Sequence, residues 1–114
     1  MKGNLRLSLT LRLFADEKPS GTDIAALLRR IDTLHSLRAA AMAMDIPYSR
    51  AWNAVKQAEG KLGFPLVRSS TGGRHGGGAA LTEEAEALLA AYDACCAALQ
   101  KAAEGLYREH LSQY

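Results

Sequence analysis

The residues best suited to chemistry lie in one basic stretch in the middle of the chain. Residues 46–82 hold five basic side chains and one acidic side chain, although the 114-residue chain carries a formal net charge of only +2. Lys and Arg neutralise backbone phosphates, so a polyanion would meet this stretch. Residues 83–114 hold two basic and six acidic side chains and would face away from it.

A helix that could read DNA is predicted inside the basic stretch, from Pro47 to about Leu62, with Gly63 ending it. Its apolar stripe is Ala51, Ala54, Val55, Ala58 and Leu62, and the opposite polar face is Ser49, Asn53 and Lys56, flanked by Arg50, Trp52 and Gln57. Asn53 could bind adenine bidentately, Ser49 can donate or accept, and Lys56 or Arg50 could contact guanine or phosphate. The alternative is a merely solvated helix face.

A glycine-rich loop follows, residues 69–78, between short strands predicted over residues 64–67 and 79–81. Its glycines, including Gly72 and Gly73, let backbone N–H groups approach an anion, and Arg74 and His75 add charge at the tip. Arg68, at the base of this hairpin, either binds phosphate or is simply solvated. A nucleotide-binding loop is disfavoured because no Gly-Lys-Ser/Thr sequence follows.

The elements that must position these residues precede the reading helix. Leucines alternate with polar residues from Leu5 to Leu13, which predicts a strand that must pair either within this chain or with another subunit. Thr22 or Asp23 can cap a first helix from Ile24, whose apolar face is Ile24, Leu27, Leu28, Ile31 and Leu34. His35 and Ser36 break it. A short second helix then runs from Leu37 to Met44, with Leu37, Ala40, Ala41 and Met44 inward, and Asp45 marks a tight turn.

The last predicted helix is capped by Thr82 and could run to about His110, roughly 40 Å at ~1.5 Å per residue. From Ala85 onward, small and apolar side chains recur at heptad spacing, continuing through Leu88, Tyr92, Cys95, Leu99, Ala102 and Leu106. This pattern favours a helix pair between two subunits. The alternative is that only the first two turns pack on the domain.

These elements predict one domain over residues 1–114, mainly α with a small β wing. It comprises an N-terminal strand (1–16), a helix-turn-helix and wing (23–81) and a dimerisation helix (82–114). The order of a short helix, a tight turn, a helix with a polar face and a glycine-rich hairpin is that of a winged helix-turn-helix. Such a fold inserts one helix into a major groove about 12 Å wide.

Residues 36–92 resemble the N-terminal DNA-binding domain of ModE-type molybdate-responsive transcriptional regulators, whose winged helix is similar to that of LysR-type regulators. The resemblance rests on IPYSRAWNAVKQAEGKLGFPLV, on TGGRHGGGAALT and on the strand ending at Asp16. It implies a homodimer made by the N-terminal strand and the last helix. It also implies DNA contacts by Tyr48, Ser49, Arg50, Asn53 and Lys56, with Thr71 and Arg74 in the wing.

The chain departs from the family pattern at Asp45, where glycine is usual, and at His75, where the wing has a glycine. The arginine expected just after the first strand of the wing is displaced to Arg68, and Ser69 stands in its usual place. The family's molybdate-binding modules normally follow this domain, whereas the sequence ends at Tyr114. We therefore expect no direct molybdate binding by this chain.

The expected function is that of a sequence-specific transcriptional regulator that binds double-stranded DNA as a homodimer. The alternative is a winged-helix protein-interaction module without specific DNA binding, a hypothesis motivated by Asp45 and the displaced Arg68. Asp32 with His35, and Tyr107 with His110, lack a nucleophile in a catalytic arrangement, so no enzyme activity is expected.

No cofactor or metal is expected either. Cys95 and Cys96 are adjacent, so they are predicted to be reduced and to act as two small buried hydrophobic residues. No apolar run reaches ~18 residues and no signal peptide is evident. The chain is expected to be a bacterial cytoplasmic protein with no membrane partner.

Overall fold

The computed structural model describes residues 4–17, 21–70 and 78–114. Within them, four helices and a two-stranded antiparallel sheet follow in the order α1 (Ile24–Leu34), α2 (Leu37–Ala43), α3 (Tyr48–Leu62), β1 (Val67–Ser70), β2 (Gly78–Leu81) and α4 (Glu83–His110). This is the mainly helical fold with a small β wing that the sequence predicts. The chain divides into two compact units, one of residues 12–89 and one of residues 1–11 with 90–114.

Helix α1 begins where Asp23 gathers the free backbone donors of the helix start. Asp23 Oδ1 accepts hydrogen bonds from the amides of Ala25 (3.1 Å) and Ala26 (3.3 Å), as a helix N-cap does, and also from the amide of Leu13 (3.1 Å). Of the predicted apolar face, Ile24, Leu27, Leu28 and Ile31 are buried. The prediction was wrong for Leu34, which is 41% exposed because the helix ends there and His35 turns into the left-handed conformation.

The helix-turn-helix is formed by α2, a tight turn and α3. Ser36 Oγ accepts the Ala39 amide (3.0 Å) and caps α2, whose buried residues are Ala40 and Ala41; the predicted inward residues Leu37 and Met44 are only half-buried. Asp45 takes the left-handed conformation with φ of +59°, so it makes the turn in which the family pattern has glycine.

Helix α3 begins at Tyr48, with Pro47 as its N-cap and not as its first residue. It buries Ala51, Val55 and Ala58, whereas Leu62, also predicted in the core stripe, is 42% exposed. Leu62 is the last residue of the helix, and Gly63 follows in the left-handed conformation with φ of +84°. The core stripe is therefore shorter than its sequence pattern predicts.

The wing is a hairpin in which Val67 pairs with Leu81 and Ser70 with Gly78. The prediction that the strand begins at Phe64 was wrong, since β1 begins at Val67: the N–H of the fully buried Leu66 donates to Glu59 (2.8 Å), and only its carbonyl continues the hairpin by accepting the Thr82 amide (3.0 Å). Ser69 and Ser70, predicted as loop, belong to β1. The predicted wing tip lies outside the described residues.

Helix α4 has the predicted cap, since Thr82 Oγ1 accepts the Ala85 amide (3.1 Å) and donates to the Pro65 carbonyl (2.7 Å). Only Ala85 and Leu89 are buried along the helix. Both cysteines are free, but Cys95 is exposed and Cys96 half-buried, so the prediction that they are buried was wrong.

In the unit of residues 1–11 and 90–114, the segment predicted as a strand is not part of a sheet within the described residues. Its carbonyls at Leu5, Leu9 and Leu11 instead accept hydrogen bonds from side chains of α4, which are Tyr107 Oη, Gln100 Nε2 (2.8 Å) and Tyr92 Oη (2.8 Å) respectively. Of the two alternatives for this segment, strand pairing within the chain is therefore not found among the described residues. Among the helices described, none is long and apolar enough to span a membrane.

Candidate nucleic-acid interface

The polar face of α3 is open to solvent. Ser49, Asn53 and Lys56, predicted to read bases, are all exposed, and so are the flanking Arg50 and Gln57. These side chains are therefore available to a macromolecular ligand, as base recognition requires.

The opposite face of α3 fixes how the polar face is presented. Ala51 and Ala58 are almost completely buried, and α3 contacts both α1 and α2. Because alanine has the shortest side chain after glycine, the α3 backbone lies close to its neighbours. The polar face is thereby carried on a rigid, well-packed base.

Two cations lie over two aromatic rings along α3. The guanidinium of Arg38, on α2, is 4.4 Å from the centroid of the Tyr48 ring, and Lys56 Nζ is 5.4 Å from the centroid of the Trp52 ring. Such cation–π contacts restrict long basic side chains without neutralising them. The sequence reasoning missed Arg38, because a single arginine in an alanine-rich helix gives no sign of the ring it lies over.

Glu59 connects α3 to the beginning of the wing. Its Oε2 atom accepts the amides of Leu66 (2.8 Å) and Val67 (3.3 Å), and its Oε1 atom lies 3.4 Å from Lys56 Nζ. One carboxylate thus fixes the chain entering β1 and contacts a predicted DNA-binding lysine. Glu59 was not predicted as a site residue, although it is the lone acid in a basic stretch of the sequence.

Two grooves contain the predicted site residues of α3 that the structure describes. The first, here the α3–wing groove, has a volume of about 330 Å³, and its lining includes Arg38, Tyr48, Trp52, Lys56, Glu59 and Arg68. The second, of about 380 Å³, is lined on its α3 side by Ser49, Arg50, Asn53 and Gln57 and on its other side by residues that include Asp16 and Thr22. The predicted site residues are thus divided between two sides of one helix.

At the base of the wing, the exposed Arg68 donates from Nε to the Leu81 carbonyl (3.4 Å) across the hairpin. This contact leaves its terminal guanidinium nitrogens for other partners. The remaining predicted wing residues, Thr71, Gly72, Gly73, Arg74 and His75, lie outside the described residues.

The predicted dimerisation residues differ in exposure. Leu88 and Tyr92 are half-buried, whereas the later members of the heptad pattern, Cys95, Leu99, Ala102 and Leu106, are exposed. Tyr92 also donates its hydroxyl to Leu11, so it is engaged within the chain.

Comparison with solved structures agrees with this fold. The structure of ArgP from Mycobacterium tuberculosis superposes with a TM-score of 0.53 over 74% of this chain and 29% of that chain, at 24% sequence identity. At this identity the likeness concerns the fold alone, which is a helix-turn-helix followed by a wing.

Sequence comparison supplies the family. The chain is 36% identical over 107 residues to the transcriptional regulator ModE of Yersinia pestis, covering 94% of this chain and 39% of that protein. It is 40% identical over 81 residues to the molybdenum-pterin-binding protein MopB of Rhodobacter capsulatus, covering 71% of this chain and 30% of MopB. The ModE resemblance found from the residues is thus confirmed, although the chain spans only about a third of the length of these relatives.

The signature of the family described as bacterial regulatory helix-turn-helix protein, lysR family, matches residues 24–86, from the first residue of α1 into the first turn of α4. The match includes the whole helix-turn-helix and the wing. The family is one of regulatory proteins and not of enzymes, as the sequence analysis expected. The chain belongs to the lysR family of bacterial regulatory helix-turn-helix proteins.

Proposed function

We propose that this chain is the DNA-binding part of a bacterial transcriptional regulator, that it works in the cytoplasm as a homodimer, and that α3 reads base sequence in the major groove. The observation that carries the proposal is the exposed polar face of α3 on a small-residue base, beside a cationic wing. The proposal assigns no molybdate site to this chain.

In the proposed complex, Asn53 contacts an adenine edge and Ser49 a neighbouring base, while Lys56 and Arg50 contact guanine or phosphate. The wing supplies sequence-independent contacts through Arg68 and through its tip, for which we propose Thr71, Gly72, Gly73, Arg74 and His75. Base contacts then set specificity, whereas wing contacts set affinity and its dependence on salt.

Selection of bound duplexes from a random pool, followed by fluorescence anisotropy on the selected site, tests this proposal. We expect Asn53→Ala to lose about 10- to 100-fold affinity for the selected site, since a bidentate base contact contributes ~1–3 kcal/mol, and to bind unrelated duplexes as before. Gln113→Ala, which removes another exposed amide, is the matched control. Equal weak binding of every duplex by the natural chain would contradict sequence reading.

The homodimer is supported by the arrangement of residues 4–11 along α4. The donors Tyr92 and Tyr107 are fifteen residues apart on α4, about 22 Å at ~1.5 Å per residue, and their acceptors Leu11 and Leu5 are six residues apart, about 20 Å when extended. The segment is therefore extended and antiparallel to α4. In an extended chain the backbone N–H and C=O groups of alternate residues point to opposite sides. The carbonyls of the odd-numbered leucines point to α4, so the backbone N–H and C=O groups of Arg6, Ser8 and Thr10 point away from α4.

The same segment exposes apolar side chains that a second copy would cover. Leu5, Leu7 and Leu9 are between 39% and 57% exposed, and on α4 Leu99 and Leu106 are 41% and 53% exposed. The backbone edge of Arg6, Ser8 and Thr10 lies beside these exposed leucines. A two-fold axis would place the same edge and the same leucines of a second copy opposite them, so the two segments could pair as antiparallel strands.

Sedimentation velocity tests the homodimer. We expect a concentration-dependent dimer that Leu7→Asp converts to monomer, because a carboxylate would be buried in the interface. Thr10→Asp, which places the same charge on the opposite face of the segment, should remain dimeric. On DNA, footprints of two half-sites about 34 Å apart are expected for a two-fold dimer. A natural chain that stays monomeric at high concentration and on DNA would contradict the proposal.

A further inference from the structure

The α3–wing groove collects cations from three separate elements. Arg38 comes from α2, Lys56 from α3 and Arg68 from β1, and all three line the same cavity of about 330 Å³. Among the described residues that line it, Glu59 alone is acidic. The groove is thus a positively charged depression beside the reading helix, separate from the groove lined by Asn53.

The one carboxylate of the groove is already occupied. Glu59 uses Oε2 for the two amides that begin the wing and Oε1 for Lys56. Among the residues that the structure describes, Arg38 has no carboxylate within ion-pair distance, and its guanidinium lies over the Tyr48 ring. Arg38 therefore brings an uncompensated charge to the groove.

The ring of Tyr48 holds the guanidinium in a position suited to a phosphate. The guanidinium carbon lies 4.4 Å from the ring centroid, and a guanidinium stacked on an aromatic ring can still present the N–H groups of its edge to two phosphate oxygens. Tyr48 begins α3, in the same first turn as Ser49, so the groove adjoins the face proposed to enter the major groove. In the proposed complex, one DNA backbone would lie alongside the α3–wing groove.

We infer that Arg38, held by Tyr48, binds a phosphodiester of the DNA backbone in the α3–wing groove. Tyr48 is then a positioning residue for Arg38. This inference rests on the proposed function and adds to it a phosphate contact made from α2, outside both the reading face and the wing tip.

The test measures affinity against KCl concentration for the selected duplex and for an unrelated one. For Arg38→Ala we expect about tenfold weaker binding to both, and a slope of log K against log[salt] smaller by about one, since one phosphate contact is lost. Arg30→Ala, which removes an exposed arginine of α1 that does not line the groove, is the control and should leave the slope unchanged. Tyr48→Leu should weaken binding to both duplexes several-fold.

A second measurement locates the contact and does not depend on the stability of the variant. Methylphosphonates are placed singly along the selected duplex, and we expect one position at which neutralisation weakens the natural chain but not Arg38→Ala, as coupling requires. An unchanged salt slope for Arg38→Ala, or the absence of such a position, would overturn this inference while leaving DNA binding intact. Failure of the natural chain to bind any duplex would instead refute the proposed function.

Discussion

Replacing Glu59 by alanine should loosen the beginning of the wing. The Leu66 and Val67 amides would lose a charged acceptor, and water entering from the α3–wing groove would replace it only in part. A hydrogen bond to a charged group contributes about 1.5–3 kcal/mol, and the 3.3 Å bond to Val67 falls at the lower end. We therefore expect a loss of about 3 kcal/mol, which lowers the melting temperature of a domain of this size by about 12 °C.

Thermal unfolding followed by circular dichroism measures this loss, and hydrogen exchange locates it. The amide of Leu66 should exchange much faster in Glu59→Ala than in the natural chain, while that of Ala41, in the core of α2, should change only with global stability. Glu59→Gln is the control: it keeps an acceptor oxygen but no charge, so it should lose only about 1 kcal/mol. An unchanged melting temperature and unchanged exchange at Leu66 in Glu59→Ala would refute the reasoning.

Three further substitutions test local features of the fold by urea denaturation. Asp45→Gly should raise the free energy of unfolding by about 0.5–1 kcal/mol, because glycine adopts the left-handed φ of +59° without strain; a decrease would mean that the Asp45 side chain stabilises the turn. Gly63→Ala should lower the free energy of unfolding by about 1 kcal/mol, because alanine is strained at φ of +84°. The added Cβ meets no neighbouring side chain or backbone atom within 4 Å, so a clash is not the cause; an unchanged denaturation midpoint would contradict this. Thr82→Ala should lower the free energy of unfolding by about 1–2 kcal/mol, because it removes the α4 cap and the hydrogen bond to Pro65. Thr82→Ser keeps the hydroxyl and should lose much less; an equal loss in both variants would show that the hydroxyl is not the cause.

The helices were predictable because local signals define their ends. Asp23, Ser36 and Thr82 are capping residues by type, and each caps its helix. Asp45 was correctly placed in a tight turn, since Asp tolerates the left-handed conformation. The apolar periodicity of α3 likewise predicted which side of it is exposed.

The features that depend on contacts distant in sequence were less accessible. The period-two leucines predicted a strand, but no pattern in that segment shows that its carbonyls accept from Tyr92 and Gln100, which are 81 and 91 residues away. The exposure of Leu34 and Leu62 follows from where their helices end, which apolar spacing does not report. Arg38 is similar, because its significance depends on a ring in the next helix.

Leu66 has two hydrogen-bond partners: Glu59 of α3 accepts from its N–H, and the amide of Thr82, the residue that follows β2 and caps α4, donates to its carbonyl. The hairpin is therefore anchored at its root, independently of its tip. Insertions, deletions or grafted sequences between Ser70 and Gly78 should consequently alter the reach of the wing without disturbing the orientation of α3. If the wing contacts DNA as proposed, such variants should change DNA affinity while base preference is preserved.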